Sequence, residues 1–276
     1  MVMGPFDPLV GTTEFVTRLL DSGICNLNTR TRSTSDWRRL PLALAECSAK
    51  SCRSGSYCVD SLRWADRYTF SAPTRFGEVV ELHTSRLVLR GLEPADFVQW
   101  SQVRLGCESW LRKWEPLPPP GAPDPSRDRA AFITRCNARE RERQLGTGYA
   151  NSLWYDGQFV GEINVNNVIR GAFSSGHVGY WVDEAQAGKG FIPEGLVGVF
   201  GHIFDRVGLH RLQISIIPRN SASRRVVEKL GIRAEGIAQG YLQINGRWED
   251  HVRYAITAEE WNLRREELWA STCKSQ

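Results

Sequence analysis

The longest apolar pattern in the chain follows a glycine-spaced turn, Gly188-Lys189-Gly190. Beyond the turn, apolar side chains recur at steps of three and four residues, which is typical of one buried helical face. They are Leu196, Val199, Phe200, Ile203, Phe204 and Val207. Residues 177–182, before the turn, are predicted to form a short strand. Two interpretations stay open: a tight turn without a ligand, or an anion site in which free backbone N–H groups and the helix dipole face a pyrophosphate.

Periodicity and turn signals place the other elements on either side of this segment. Strands are predicted at residues 86–90, 149–155, 158–168, 178–182, 211–217, 232–244 and 248–257. Helices are predicted from Pro94 onwards, at residues 126–144, after the glycine turn, from Asn220 or Ser221 to Gly231, and at residues 258–269. Asp156-Gly157 is a strong two-residue hairpin signal, and Asn245-Gly246 links the last two strands. The predicted order is βααβββαβαββ.

Composition limits the partners and the location of the protein. The chain has 276 residues, 41% of them apolar and ten of them tryptophan, which suffices for a packed core. The net charge of +4 is too small to argue for nucleic acid. No basic leader with an apolar segment opens the chain, so we expect a cytoplasmic protein with no membrane partner. The seven cysteines lack zinc-site spacing, so we expect free thiols and no metal.

The first 78 residues differ from the rest of the chain. They contain Ser/Thr/Arg-rich runs, such as residues 29–35, and two short helical candidates without an evident partner face. Residues 1–78 are therefore either a poorly ordered extension, or a segment outside the natural protein whose translation starts nearer Val79. We predict one folded domain over residues 79–270.

The turn and residues 218–236 together resemble the GNAT superfamily of acyl-CoA-dependent N-acyltransferases. The resemblance covers roughly residues 82–262 and is strongest to the RimJ/RimL type, the ribosomal-protein-alanine acetyltransferases. In the first signature Gly190 is kept, while Ala187 replaces a polar residue and Ile192 a small one. The other matching stretches are WLRKWEP at 110–116, GYW at 179–181, LHRL at 209–212, PRNSAS at 218–223, EKLG at 228–231 and YLQINGRWEDH at 241–251.

This resemblance implies a fold and a cofactor. The fold is α/β (α+β): a mixed, mostly antiparallel sheet of about seven strands flanked by helices. The fourth and fifth strands, residues 178–182 and 211–217, would splay apart and hold the pantetheine arm of acetyl-CoA. The arm would pair with backbone at Trp181 and Val182 and contact Asn220. The pyrophosphate would lie on Gly188, Lys189, Gly190 and Phe191.

Acyl transfer to an amine needs a neutral amine, an oriented carbonyl and a proton for the departing thiolate. The resemblance points to Ser223 as the acid near the cofactor sulfur. The structural alternative for Ser223 is a first-turn serine bonded to backbone. We predict Glu162, on the third strand, as the general base, with Glu115, Glu249 and Asp250 as alternatives.

The acceptor side is predicted from the early loops, as in the family. Trp110, Trp114 and Glu115 are the acceptor-binding candidates, although the tryptophans could instead pin a proline-rich loop to the core. We predict an acetyl-CoA-dependent N-acetyltransferase that acts by direct transfer on the N-terminal α-amine of a protein, such as a ribosomal protein. The alternatives are an enzyme for a small amine, such as an aminoglycoside or amino acid, and a non-catalytic acyl-CoA-binding module. A monomer or a homodimer is expected.

Overall fold

A computed structural model describes residues 81–272 of the chain. The predicted N-terminal extension, residues 1–78, lies outside the described residues. Within them, eight strands form one sheet in the order β1-β2-β3-β4-β5-β6-β8-β7. The strands are β1 (Leu82–His83), β2 (Leu87–Arg90), β3 (Tyr149–Tyr155), β4 (Gln158–Ile169), β5 (Ser175–Val182), β6 (Arg211–Ile216), β7 (Arg233–Ile244) and β8 (Arg247–Thr257). Neighbouring strands are antiparallel except β5 and β6, which run parallel. The predicted mixed, mostly antiparallel sheet is confirmed, with one short extra strand at its edge.

Six α-helices flank this sheet within the described residues. They are α1 (Phe97–Gly106), α2 (Glu108–Leu111), α3 (Arg129–Leu145), α4 (Phe191–Gly201), α5 (Ser221–Lys229) and α6 (Ala258–Thr272). A π-helical segment, His202–Val207, continues α4. None of the helices described in residues 81–272 is both long enough and apolar enough to cross a bilayer.

The alternation of side chains along each strand builds two cores, one on each face of the sheet. Leu153 of β3 belongs to the larger core, together with Phe200 of α4 and Trp261 of α6. The next residue, Trp154, belongs to a smaller core with Trp100 of α1 and others of α3. Each fully buried leucine or phenylalanine contributes about 1.5–3 kcal/mol to folding.

Helix α4 differs from its prediction because it is buried on every side. All eleven of its residues are buried, whereas the apolar stripe predicted one buried face. The helix lies between the sheet and α6, and glycines allow the close approach. A methyl group at Gly195 would stand only 2.6 Å from Cδ2 of Leu153.

The sheet opens between its two parallel strands. Pairing begins at Ser175 with Arg211 and ends at Val178 with Ile214, although β5 continues to Val182. The antiparallel pairing of β5 with β4 persists over this last stretch. The predicted splay of these two strands is therefore confirmed.

Candidate active site

The glycine turn after β5 has the backbone geometry of an anion-binding loop. Gly188 and Gly190 both adopt a φ of +82°, in the left-handed region that favours glycine. Gly190 is also the residue that caps α4. Among the described residues, the first-turn N–H groups of Phe191 and Ile192 find no acceptor. These donors and the positive end of the α4 dipole can therefore bind a phosphate.

The side chains of this turn point in different directions. Lys189 is exposed and its Nζ donates to Oε1 of Gln186 at 2.7 Å. Phe191 is buried, with its ring centroid 4.8 Å from that of Tyr155. Ile192 is buried in the larger core, so the departure from the family signature at this position places an apolar side chain inside the protein.

A buried carboxylate, that of Glu194, holds the glycine turn in place through Arg86. Glu194, in the first turn of α4, has no exposed surface. It accepts hydrogen bonds from Thr84 Oγ1 at 2.6 Å and from Arg86 N and Nε at 2.8 and 2.7 Å. The Nη1 of Arg86 then donates to the carbonyl of Lys189 at 3.1 Å. This clamp joins the β1–β2 turn to the anion loop, and no local sequence signal predicts it.

At the opening of the sheet, the hydroxyl groups of Tyr180 and Ser223 connect β5 to α5 by a hydrogen bond. Ser223, in the first turn of α5, donates its backbone N–H to Oδ1 of Asn220 at 3.1 Å. Asn220 is thus the helix cap, one of the two residues, Asn220 and Ser221, from which the sequence predicts the helix to begin. The Ser223 Oγ donates to the Tyr180 hydroxyl at 2.9 Å, and that hydroxyl donates to the Ser223 carbonyl at 3.0 Å. Burial raises the pKa of Tyr180 well above its ordinary value. Tyr180 belongs to the GYW motif at 179–181, but the motif by itself predicts no role for its hydroxyl.

On the other face of β5, Trp181 is linked to the predicted acceptor loop. The Arg104 guanidinium lies 4.9 Å from the centroid of the Trp181 ring. Arg104 also holds the Glu115 carboxylate through two hydrogen bonds of 2.8 and 2.9 Å. The Glu115 carbonyl accepts from Asn245 N at 2.9 Å, which ties the loop to the turn between β7 and β8.

The two predicted acceptor tryptophans are partly exposed and are not members of either core. The Nζ of Lys113 lies 5.3 Å from the Trp110 ring centroid and 5.4 Å from that of Trp114. Arg219 lies 5.5 Å from the Trp114 ring. The loop therefore presents aromatic rings covered by positive charge, and pinning to the core does not account for it.

Glu162, the predicted base, is held by three donors. Trp100 Nε1 and Arg135 Nη2 each approach it at 2.6 Å, and Asn164 Nδ2 at 2.9 Å. Only 1% of its surface is exposed. Burial by itself raises the pKa of Glu162, but the charge of Arg135 and the bonds from Asn164 and Trp100 outweigh it and hold the pKa below its usual value. These contacts argue against a free, basic carboxylate at this position, because every donor stabilises the ionised form.

The alternative bases are also engaged. Glu249 pairs with Arg219 at 2.6 Å, and Asp250 accepts from the Gly240 N–H at 2.8 Å. The hydrogen bond from Arg219 holds the pKa of Glu249 below its ordinary value. Tyr241 contacts the His251 ring, with centroids 5.7 Å apart. Residues 81–272 contain no group of three or more His, Cys, Asp or Glu side chains that could hold a metal ion.

The family model described as "Acetyltransferase (GNAT) domain" matches residues 86–233, which is more than half of the chain. The chain belongs to the GNAT acetyltransferase family. This GNAT protein is 29% identical over 184 residues to the [ribosomal protein uS5]-alanine N-acetyltransferase of Escherichia coli, a match that covers 66% of this chain and 93% of that one. It is 41% identical over 101 residues to a Bacillus subtilis protein named "Probable N-acetyltransferase YjcK", a match that covers 37% of this chain and 56% of that protein.

A solved structure of the same family gives a direct comparison of the fold. The RimJ protein of Mycobacterium smegmatis, solved in complex with CoA-disulfide, superposes with a TM-score of 0.63 at 31% identity and covers 70% of this chain and 93% of that one. The RimJ/RimL-type GNAT fold predicted from the motifs is therefore confirmed. The chain is an acetyltransferase, and the interpretation as a non-catalytic acyl-CoA-binding module is not supported.

Proposed function

We propose that this enzyme transfers the acetyl group of acetyl-CoA directly to the N-terminal α-amine of a protein, such as a ribosomal protein in the cytoplasm. The named activity of the Escherichia coli relative supports this acceptor. The observation that carries the proposal is electrostatic: three glutamates on the acceptor side are each paired with an arginine. Glu115 pairs with Arg104, Glu162 with Arg135 and Glu249 with Arg219.

This charge pattern disfavours a polycationic acceptor. An aminoglycoside carries several ammonium groups and needs an acidic groove, whereas Lys113 covers the two loop tryptophans here. A protein N-terminus brings a single amine. Next to the loop, Trp248 of the β7–β8 hairpin is 68% exposed and offers an apolar surface to the side chains of a peptide.

We propose for the cofactor residues the roles that the family resemblance implies. The proposal places the pyrophosphate on Gly188, Lys189, Gly190 and Phe191, where the free first-turn N–H groups suit it. It places the pantetheine arm along Trp181 and Val182, on the open side of β5. Ser223 and Asn220 stand at the N-terminus of α5, across the same opening. The oligomeric state, monomer or homodimer, stays a prediction.

Ser223 is proposed as the group that protonates the departing thiolate. Its hydroxyl is bonded to the Tyr180 side chain on β5 and so faces the opening of the sheet. The structural alternative, a first-turn serine bonded to backbone, does not by itself explain this contact. We propose that Trp110, Trp114 and Glu115 border the acceptor.

The base requirement also fits an α-amine. An α-amino group has a pKa of about 7.7–8.0 and a lysine about 10.4, so at pH 7 roughly a tenth of the former is neutral but well under a thousandth of the latter. Such an acceptor needs only weak assistance, which water can give. We therefore propose that Glu162 orders the acceptor side through Trp100 and Arg135, rather than abstracting a proton itself.

An acceptor panel with labelled acetyl-CoA tests the proposal. One peptide carries a free N-terminal alanine. A second has the same sequence with a blocked N-terminus and an internal lysine, and the third acceptor is an aminoglycoside. Label should enter the first peptide alone. Rapid acetylation of the aminoglycoside, with no label in the free-alanine peptide, would overturn the protein acceptor in favour of a small amine.

A further inference from the structure

The hydroxyl pair that crosses the open sheet has a directional hydrogen-bond pattern. The phenol of Tyr180 has one proton and donates it to the Ser223 carbonyl, which can only accept. The 2.9 Å contact between the two hydroxyls must then be a donation from Ser223 Oγ to Tyr180. In this arrangement the Ser223 proton is directed to Tyr180 and is not available to a third group.

A second arrangement needs no movement of a heavy atom. If the Tyr180 hydrogen rotates from the Ser223 carbonyl to Ser223 Oγ, the serine proton is released to point elsewhere. A hydroxyl that accepts a hydrogen bond is polarised and donates more strongly, and this cooperativity grows in a low-dielectric interior. Burial raises the pKa of Tyr180, so its phenol stays protonated and can donate this hydrogen bond.

The position of the pair explains why it can act on the reaction. Tyr180 lies two residues beyond Val178, where the pairing of β5 with β6 ends. Its side chain is on the same face of β5 as Val178, since alternate residues share a face. The bond to Ser223 therefore spans the opening that the proposed function gives to the pantetheine arm.

We propose that Tyr180 is a positioning residue for acyl transfer, which directs the Ser223 proton to the departing sulfur. This inference rests on the proposed role of Ser223. The amine nitrogen forms a bond to the thioester carbon, and the C–S bond breaks with its electron pair on sulfur. The Ser223 proton goes to that sulfur while Tyr180 donates to Ser223 Oγ. The surplus proton of the amine then returns to Ser223 Oγ, directly or through water, and both hydroxyls are restored.

The matched control is a second buried tyrosine that contacts the same helix. Tyr254 of β8 is 4% exposed, and its hydroxyl accepts from Arg224 Nε of α5 at 3.3 Å. Tyr254→Phe removes a buried hydroxyl that joins the sheet to α5 without touching Ser223. It should leave turnover within about twofold of the wild type.

The experiment is a double-mutant cycle in the full-length protein, with the free-alanine peptide as acceptor. Ser223→Ala should lower turnover on the order of 100-fold, and Tyr180→Phe about tenfold. The dissociation constant of acetyl-CoA should stay within about twofold in both, because neither hydroxyl belongs to the anion loop. Because Tyr180 acts through Ser223, Tyr180→Phe should have almost no effect in the Ser223→Ala background. With the selenoester analogue of acetyl-CoA, whose selenolate needs no proton to leave, the effect of Tyr180→Phe should largely disappear.

The outcomes separate the two proposals. If Ser223→Ala lowers turnover but Tyr180→Phe does not, the role of Tyr180 is overturned and Ser223 keeps its assignment. If Tyr180→Phe is equally harmful in both backgrounds, or with both thioester and selenoester, Tyr180 is only structural. If Ser223→Ala is silent, both fail. Should Tyr180→Phe not fold, 3-fluorotyrosine at the same position carries the test: its more acidic phenol must change turnover with the thioester and not with the selenoester.

Discussion

Gly190 offers the sharpest test of the cofactor site, because two substitutions there have nearly the same shape and differ in charge. Gly190→Asp places a carboxylate at the N-terminus of α4, and Gly190→Asn places a neutral group of the same size there. Both fit, since the nearest heavy atom to an added Cβ is Arg86 Nη2 at 3.5 Å. Both also carry the same strain of a left-handed φ of +82°, which costs about 1 kcal/mol in asparagine or aspartate.

The difference between the two variants isolates the anion site. Two unit charges about 5 Å apart, at an effective dielectric constant of about 40, repel by about 1.7 kcal/mol. A pyrophosphate carries more than one charge, which increases the repulsion, whereas Arg86, whose Nη2 lies 3.5 Å from the added Cβ, decreases it. The dissociation constant of acetyl-CoA should therefore be about tenfold higher in Gly190→Asp than in Gly190→Asn.

Calorimetry with two ligands measures this difference. Acetyl-CoA should show the gap between the variants, and the gap should narrow at high salt, where exposed charges are screened. S-acetylpantetheine lacks the pyrophosphate and should bind both variants equally. Equal affinity of both variants for acetyl-CoA, in folded protein, would refute the assignment of the turn to the pyrophosphate. A loss shared by S-acetylpantetheine would show that the turn acts on another part of the ligand.

Three further substitutions test the surroundings of the site. Glu162→Gln breaks the ion pair with Arg135 and should lower the free energy of unfolding by about 3 kcal/mol. Because the folded pKa of Glu162 is depressed, that stability is present above about pH 4.3 and is lost as the pH falls further. In denaturant titrations, the free energy of unfolding of the variant should therefore fall less steeply with acid than that of the wild type. A roughly 100-fold loss of turnover at unchanged stability would instead establish the predicted base. Asn220→Ala should lose about 1 kcal/mol of stability with the cap, and Asn220→Asp should lose little. Gly195→Ala forces a methyl group to 2.6 Å from Cδ2 of Leu153 and should lower Tm. Gly198→Ala brings one to 3.1 Å from Cγ2 of Thr84 and should lower Tm less; the reverse order would contradict the packing.

Local signals predicted most of the fold. The Asp156-Gly157 pair predicts a hairpin because both residue types tolerate the positive φ that a two-residue turn requires. The structure shows φ values of 48° and 71° at these positions. Asn245-Gly246 behaves in the same way, with φ of 45° and 80°. Side-chain chemistry alone limits the cap of α5 to Asn220 or Ser221, and the structure shows that it is Asn220. In each case the physical cause lies within a few residues of the signal.

The contacts that shape the site could not be predicted in this way. Glu194 accepts a hydrogen bond from Arg86, which lies 108 residues earlier in the chain, and Tyr180 donates one to Ser223, which lies 43 residues later. Glu194 in a first helical turn suggests no more than a favourable interaction with the dipole, and nothing local shows that it is fully buried. The partners of Glu162 depend on which face of β4 it occupies and on how α1 and α3 cross that face. Periodicity identifies a buried face, but it does not identify the side chain that will meet it.

The opening of the sheet connects these long-range contacts to the chemistry. Beyond Val178 the backbone of β5 pairs with β4 on one side only, so on its β6 side the described residues supply no strand partner. Backbone N–H and C=O groups of this kind bind an extended chain that carries amides, as the pantetheine arm does. The bond between Tyr180 and Ser223 crosses the gap at the point where pairing stops, and so sets the distance between β5 and α5. The same contact therefore joins β5 to α5 beside the opening and orients the hydroxyl that we assign to proton transfer.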